Sequence, residues 1–172
     1  MKTLIIQSGF PRSASTLLVN ALLGLLMLDE PVQFNDFEHT YNYDYDAPLN
    51  VFKTHETNLA QLDFSPDFQT YFVCSERSPS RFHDRFRAMP NAVFIDYEEL
   101  VRPVPIVCSH LYDRVAAMIP WLPLSAEACM DRLDAMNARY EEIKRLPFSY
   151  VDPYFNLHGS HRSRQKLRGG SV

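Results

Sequence analysis

A three-layer α/β fold around a central parallel sheet of about four to five strands is expected from three observations. Short apolar runs rich in Val, Ile, Phe and Tyr alternate with helical stretches; the first run passes through a short turn straight into an apolar helix; and no repeat or low-complexity segment interrupts the alternation. Such alternation joins parallel strands by right-handed crossovers and puts a ligand site at the strands' C-terminal ends. With 172 residues, 46% of them hydrophobic, the chain can bury one good core, so residues 1–172 are read as a single domain.

Thr3–Gln7 is the first strand, and Ser13–Leu28, apolar nearly all round, is a helix packed deep against the sheet. Asp29–Leu49 is acidic and aromatic, with Tyr41, Tyr43 and Tyr45 alternating with Asn42 and Asp44, and reads as a long loop or a frayed edge strand. Asn50–Lys53 and Gln69–Cys74 are the second and third strands. Pro79–Met89 suits a helix, because Pro79 falls near its first turn, where a missing N–H costs nothing. Asn91–Asp96 is the fourth strand, and a helical stretch follows within Val104–Ile119. Ser125 opens the clearest helix, with apolar residues at Ala128, Met130, Leu133, Met136 and Tyr140 and an end expected near Pro147.

The net charge of −4 is uneven. Residues 157–172 form a basic C-terminal tail with four basic residues and no acid, which leaves thirteen Lys and Arg against twenty-one Asp and Glu in the body. The tail, with His158 and His161, fits a disordered end, a flap over a ligand or a nucleic-acid patch; the acidic body and the absence of an RNA-binding motif argue against the last. Cys74, Cys108 and Cys129 show no close pairing or metal-ligand spacing, so reduced structural thiols and a cytoplasmic location are expected. Leu17–Leu28 follows Lys2 and Arg12 in the manner of a signal-peptide core, yet Asp29-Glu30-Pro31 comes next and no small-residue cleavage site follows. The run is too short to span a membrane.

Chemistry concentrates at Ile5–Thr16. The turn after the first strand has the length of a P-loop, Gly-x-x-x-x-Gly-Lys-Ser/Thr, but Gly9 is followed at that spacing by Ala14-Ser15-Thr16, and the cation sits earlier, at Arg12. The fold is therefore expected to be P-loop NTPase-like, with a turn that grips a phosphate-like group without being built for ATP hydrolysis. Lys53 and His55 end the second strand two residues apart, on one side of an extended chain, and present a cation and a titratable base together. Arg77 ends the third strand, with Arg81 and Arg85 behind it.

In these segments the chain resembles the sulfotransferases that use 3′-phosphoadenosine 5′-phosphosulfate (PAPS). Pro11-Arg12-Ser13-Ala14-Ser15-Thr16 resembles the family's first motif, with alanine in place of glycine, and Lys53-Thr54-His55 is identical to the second motif of its cytosolic branch. Arg77 and Pro79 match the third motif, whose later serine position holds Arg85, and Tyr97-Glu98-Glu99-Leu100 looks like a further family segment. Arg168-Gly169-Gly170, after Arg164 and Lys166, approximates the late Arg-Lys-Gly loop that closes on the 3′-phosphate.

The resemblance implies transfer of a sulfuryl group from PAPS to a small-molecule or carbohydrate hydroxyl, or an amine, leaving adenosine 3′,5′-bisphosphate, with no metal. Arg12 and the amides and hydroxyls of Ser13, Ala14, Ser15 and Thr16 would hold the 5′-phosphosulfate. Arg77, Arg85 and Arg168 would take the 3′-phosphate. His55 would serve as general base, a task suited to an imidazole, and Lys53 and Arg12 would stabilise charge in transfer. Residues 29–49 would face the acceptor, and neither a nucleic acid nor a membrane is an expected partner. Two other readings stay open: a nucleotide or small-molecule kinase, for which Asp96 is the candidate magnesium-holding acid, and a non-catalytic nucleotide-binding module.

Overall fold

The computed structural model describes residues 2–9, 13–28, 46–55, 67–77, 84–152, 154–155 and 157–158, the side chains of Arg85 and His158 excepted. Its centre is a four-stranded, wholly parallel sheet. The strands are β1 (Lys2–Gly9), β2 (Leu49–Thr54), β3 (Phe68–Glu76) and β4 (Ala92–Asp96), in the order β2-β1-β3-β4. β1 thus lies inside the sheet, and its residues Leu4, Ile5 and Ile6 are fully buried, as a strand covered on both faces requires.

The helices are α1 (Ser15–Leu25), α2 (Asp84–Arg87), α3 (Tyr97–Leu100), α4 (Val104–Met118) and α5 (Ala126–Ile143). One face of the sheet, through Ile5, Tyr71, Val73 and Ile95, packs against α1, α4 and α5. The opposite face carries Leu4, Ile6, Phe52, Phe68 and Phe72, and receives Phe86 of α2, whose ring meets Phe72 edge-on at 4.9 Å. Every residue of α1 is buried, which matches its unbroken apolar character. Gly24 sets its contact with α5, since a methyl group there would come within 2.8 Å of Ala128 O and 2.9 Å of Cys129 Cα.

Helix ends follow local chemistry. The Ser125 hydroxyl accepts from Ala128 N at 3.0 Å and caps α5 as expected. That helix stops at Ile143 rather than running to Pro147, because the residue before a proline resists the helical conformation and the chain tightens through Arg145 N→Glu142 O and Leu146 N→Ile143 O bonds. Ile119, before Pro120, leaves the helical region, with φ −134° and ψ 69°, and ends α4. Of the expected helix over Pro79–Met89, α2 forms at Asp84–Arg87, and residues 78–83 lie outside the described set.

Two elements were not anticipated. α3 makes a single turn of the Tyr97–Leu100 segment, and a two-stranded antiparallel hairpin, β5 (Val151–Asp152) with β6 (Leu157–His158), opens the segment read as tail. Leu157 joins the main core, and Asn20 of α1 donates to the Phe155 carbonyl, so the hairpin is packed against α1. All three cysteines are buried and free. Cys108 and Cys129 meet across α4 and α5; their mutual hydrogen bond and then burial push the Cys129 thiol far up, while burial does the same for Cys74. Thiols raised in this way, Cys74 and Cys129, carry little thiolate at neutral pH. Among the described residues, no helix is long and apolar enough to cross a membrane.

Candidate functional site

The register of the sheet brings the first two motifs together. Ser8 pairs with Thr54 and Gly9 with Ser75, so the C-terminal ends of β2, β1 and β3 lie level, with α1 beginning just beyond β1. Along β1 and β2, Gln7, Gly9, Lys53 and His55 fall on the face covered by α1, by the strict alternation that places Ile5 there.

Lys53 is buried, and its Nζ donates to Thr16 Oγ1 at 3.3 Å, bridging β2 to the first turn of α1. His55, half-buried, donates from Nδ1 to the Gly9 carbonyl. A carbonyl only accepts, so this bond fixes the proton on Nδ1 and makes Nε2 the basic nitrogen of the neutral ring. Ser13 is fully buried, and its hydroxyl shares a 2.7 Å hydrogen bond with that of Ser75. The turn is thereby stitched to β3 on one side and to β2 on the other.

Ala14 stands where the motif it resembles carries glycine, and the backbone shows the reason for glycine. Its φ of 62° and ψ of 26° are left-handed, a conformation that costs an alanine about 1–2 kcal/mol. It is also the N-cap of α1, without any side-chain cap, so the first amides of the helix have no capping partner from their own N-cap. With the helix dipole behind them, these amides favour an anion. Among the described residues, the groups that meet here are amides, hydroxyls, an ammonium and an imidazole. Glu76, buried at the end of β3, faces the other side of the sheet and is ion-paired with Arg87, whose guanidinium lies 4.7 Å over the Phe94 ring.

Arg77 follows β3 directly, is exposed, and stacks its guanidinium 4.6 Å over the ring of Tyr97 at the start of α3. Ser75 is separated from β2 by β1, two strand spacings or roughly 10 Å, and Arg77 stands two residues beyond Ser75, so it is farther than that from His55. Tyr97 thus steers Arg77, and Glu99 pairs with Arg114 at 2.8 Å to hold the turn behind it. Asp96 is exposed at the end of β4, two strands from β1.

Arg12, Arg168, residues 29–45 and His161 lie outside the described residues, as does the side chain of Arg85. The structure thus brings Ser13, Ala14, Ser15, Thr16, Lys53 and His55 into one cup and sets Arg77 at its flank. Among the described residues, no group of His, Cys, Asp and Glu is arranged to hold a metal. Compared with known proteins, the chain matches no family model, no curated protein and no solved structure.

Proposed function

We propose that the chain is a P-loop-like, PAPS-dependent sulfotransferase that moves a sulfuryl group to an acceptor hydroxyl or amine. The observation that carries this reading is the docking of Lys53 on Thr16 and of His55 on Gly9, which seats the second motif on the loop of the first. A donor set of amides, hydroxyls and an ammonium, with no carboxylate of the described residues turned into it, suits a polyanionic substrate.

In this reading the Ser13–Thr16 amides and Arg12 hold the 5′-phosphosulfate, with Lys53 beside the bond that breaks. His55 Nε2 takes the proton of the attacking hydroxyl, its orientation set in advance by the Gly9 bond. Lys53 stabilises charge on the group in transfer and on the departing phosphate. Arg77, more than two strand spacings away across the sheet, suits the other anionic end of the nucleotide, the 3′-phosphate, with Arg85 and Arg168 as further candidates. Free, buried thiols fit a cytoplasmic enzyme. The acceptor is a small molecule or carbohydrate bearing a hydroxyl.

A kinase needs an acid close to the loop's hydroxyl to hold magnesium, and Asp96 stands two strands off. The deciding experiment is thermal denaturation with adenosine 3′,5′-bisphosphate against ATP with magnesium. Stabilisation by several degrees with the bisphosphate, and less with ATP, is expected. Preference for ATP overturns the proposal.

A further inference from the structure

The cup has a floor that neither motif includes. Gln7 stands two residues before Gly9 on the same face of β1, paired in register with Lys53 on β2 and Val73 on β3. It is fully buried, and neither its Oε1 nor its Nε2 has a hydrogen-bond partner. Nε2 reaches along the strand to the level of Gly9: a methyl group on Gly9 would lie 3.1 Å from it, 2.6 Å from Ser15 Cβ and in overlap with Ser75 Oγ. The amide is therefore directed toward Gly9 and the first residue of α1, beside the strand whose lysine reaches Thr16.

Burying an amide with both ends unpaired leaves its desolvation uncompensated. Leu or Met would fill the same volume without that cost, and Ile5, the preceding residue on this face, is apolar. A polar group kept unsatisfied at the end of an apolar strand, beside a helix whose N-cap, Ala14, has no side-chain cap to give, is suited to a partner that arrives with a ligand.

We infer that Gln7 is a ligand-contacting residue of the cup. Its Nε2 donates to an oxygen of a tetrahedral oxyanion, phosphoryl or sulfuryl, seated on the first amides of α1, and its Oε1 accepts from the Lys53 ammonium when the anion draws that group off Thr16. The inference rests on the sulfotransferase reading for the identity of the ligand, though its chemistry requires only the oxyanion.

The test replaces the amide by an apolar side chain of similar length, Gln7→Met, with Gln7→Leu as a second variant should the first fail to fold. Melting temperature without ligand and dissociation constants by calorimetry are measured for adenosine 3′,5′-bisphosphate and for inorganic pyrophosphate. Expected is a ligand-free melting temperature at or above that of the wild type, together with binding of both probes weakened about tenfold or more. A purely structural role cannot move the two readouts in opposite directions. Unchanged affinity for both probes overturns the inference, and so does a fall in melting temperature with both variants. Wild-type binding of pyrophosphate without binding of the nucleotide overturns the sulfotransferase reading alone, and the pyrophosphate ratio then decides Gln7. Binding of neither probe overturns both.

Discussion

Asp152→Asn should destabilise the protein measurably at neutral pH and hardly at all in acid. Asp152 is buried on β5 and accepts four hydrogen bonds: Arg139 Nε at 2.7 Å and Tyr150 Oη at 3.1 Å on Oδ2, Tyr154 N at 2.9 Å and Phe155 N at 3.1 Å on Oδ1. One carboxylate thereby closes the hairpin turn and ties it to α5. Asparagine keeps the shape and the acceptor for the two turn amides, but sets an NH₂ against the guanidinium and the phenol. A charge-assisted bond contributes about 1.5–3 kcal/mol; Arg139 is part-exposed and retains Glu142, so a loss near the lower end, about 2 kcal/mol, is expected. For a chain of this length that is a fall of about 4–8 °C in melting temperature.

The pH dependence supplies the sharper check. Burial alone pushes the Asp152 carboxyl up, but the bonds from Arg139, the Tyr154 and Phe155 amides and Tyr150 outweigh it and hold the group below its ordinary value of 3.8. A carboxyl lower in the folded than in the unfolded state binds its proton more readily on unfolding. Its contribution is complete above the unfolded value, near 4, and disappears as pH falls through the folded value. Thermal and urea denaturation at pH 7 and again below pH 3 should therefore show the gap between wild type and variant closing in acid. A gap absent at pH 7, or undiminished in acid, refutes the reasoning.

His55→Ala should cut transfer by about 10²–10⁴-fold, the ordinary share of a general base, while calorimetry finds adenosine 3′,5′-bisphosphate bound nearly as tightly as before. Arg77→Ala should weaken that bisphosphate about tenfold and leave adenosine 5′-monophosphate unaffected; equal losses for both nucleotides would detach Arg77 from the 3′-phosphate. Ala14→Gly relieves the left-handed strain at a position only partly buried, so a gain of about 1 kcal/mol, or 2–4 °C, is expected in thermal denaturation. A lower melting temperature would mean that the turn is held by packing of the Ala14 methyl instead.

Sequence pattern made the sheet legible because its strands are apolar runs with clear turn signals. It placed Lys53 and His55 on one side because strand alternation requires it. Three things were beyond it. Strands of two residues, Val151–Asp152 and Leu157–His158, are too short for any period to show, and the hairpin's support comes from Arg139 and Asn20, distant in sequence. The start of α1 shifted to Ser15 because Ala14 takes a conformation that its residue type does not advertise. Gln7 looks like one polar residue ending an apolar run, and its signal lies in its place: position 7 shares a face with Ile5 and, in a strand sealed on both sides, a polar side chain has no water to turn to.

That last point bears on the whole distribution of buried polarity. Among the described residues thirteen polar or charged side chains are buried, and nine of them, Gln7, Ser8, Ser13, Ser15, Thr16, Lys53, Thr54, Ser75 and Glu76, stand at the C-terminal ends of β1, β2 and β3 or at the start of α1. The rest of the interior is filled mainly by Leu, Ile, Val and Phe. Each buried polar group costs free energy unless it is paired, and a fold selected for stability alone would disperse or remove them. Six of the nine, Gln7, Ser13, Ser15, Thr16, Lys53 and Ser75, lie on the α1 side of that end, with a left-handed alanine as the N-cap of α1 and an amide paired with nothing, whereas Ser8, Thr54 and Glu76 face the other side of the sheet. Local costs stacked at one place, in a core otherwise economical, are what a preorganised anion site requires: its donors must be held out of water and aimed before the ligand arrives. Stabilising changes in this patch, Gln7→Met above all, are accordingly expected to trade binding for melting temperature, whereas Asp152, buried and fully paired far from that trade, yields only loss.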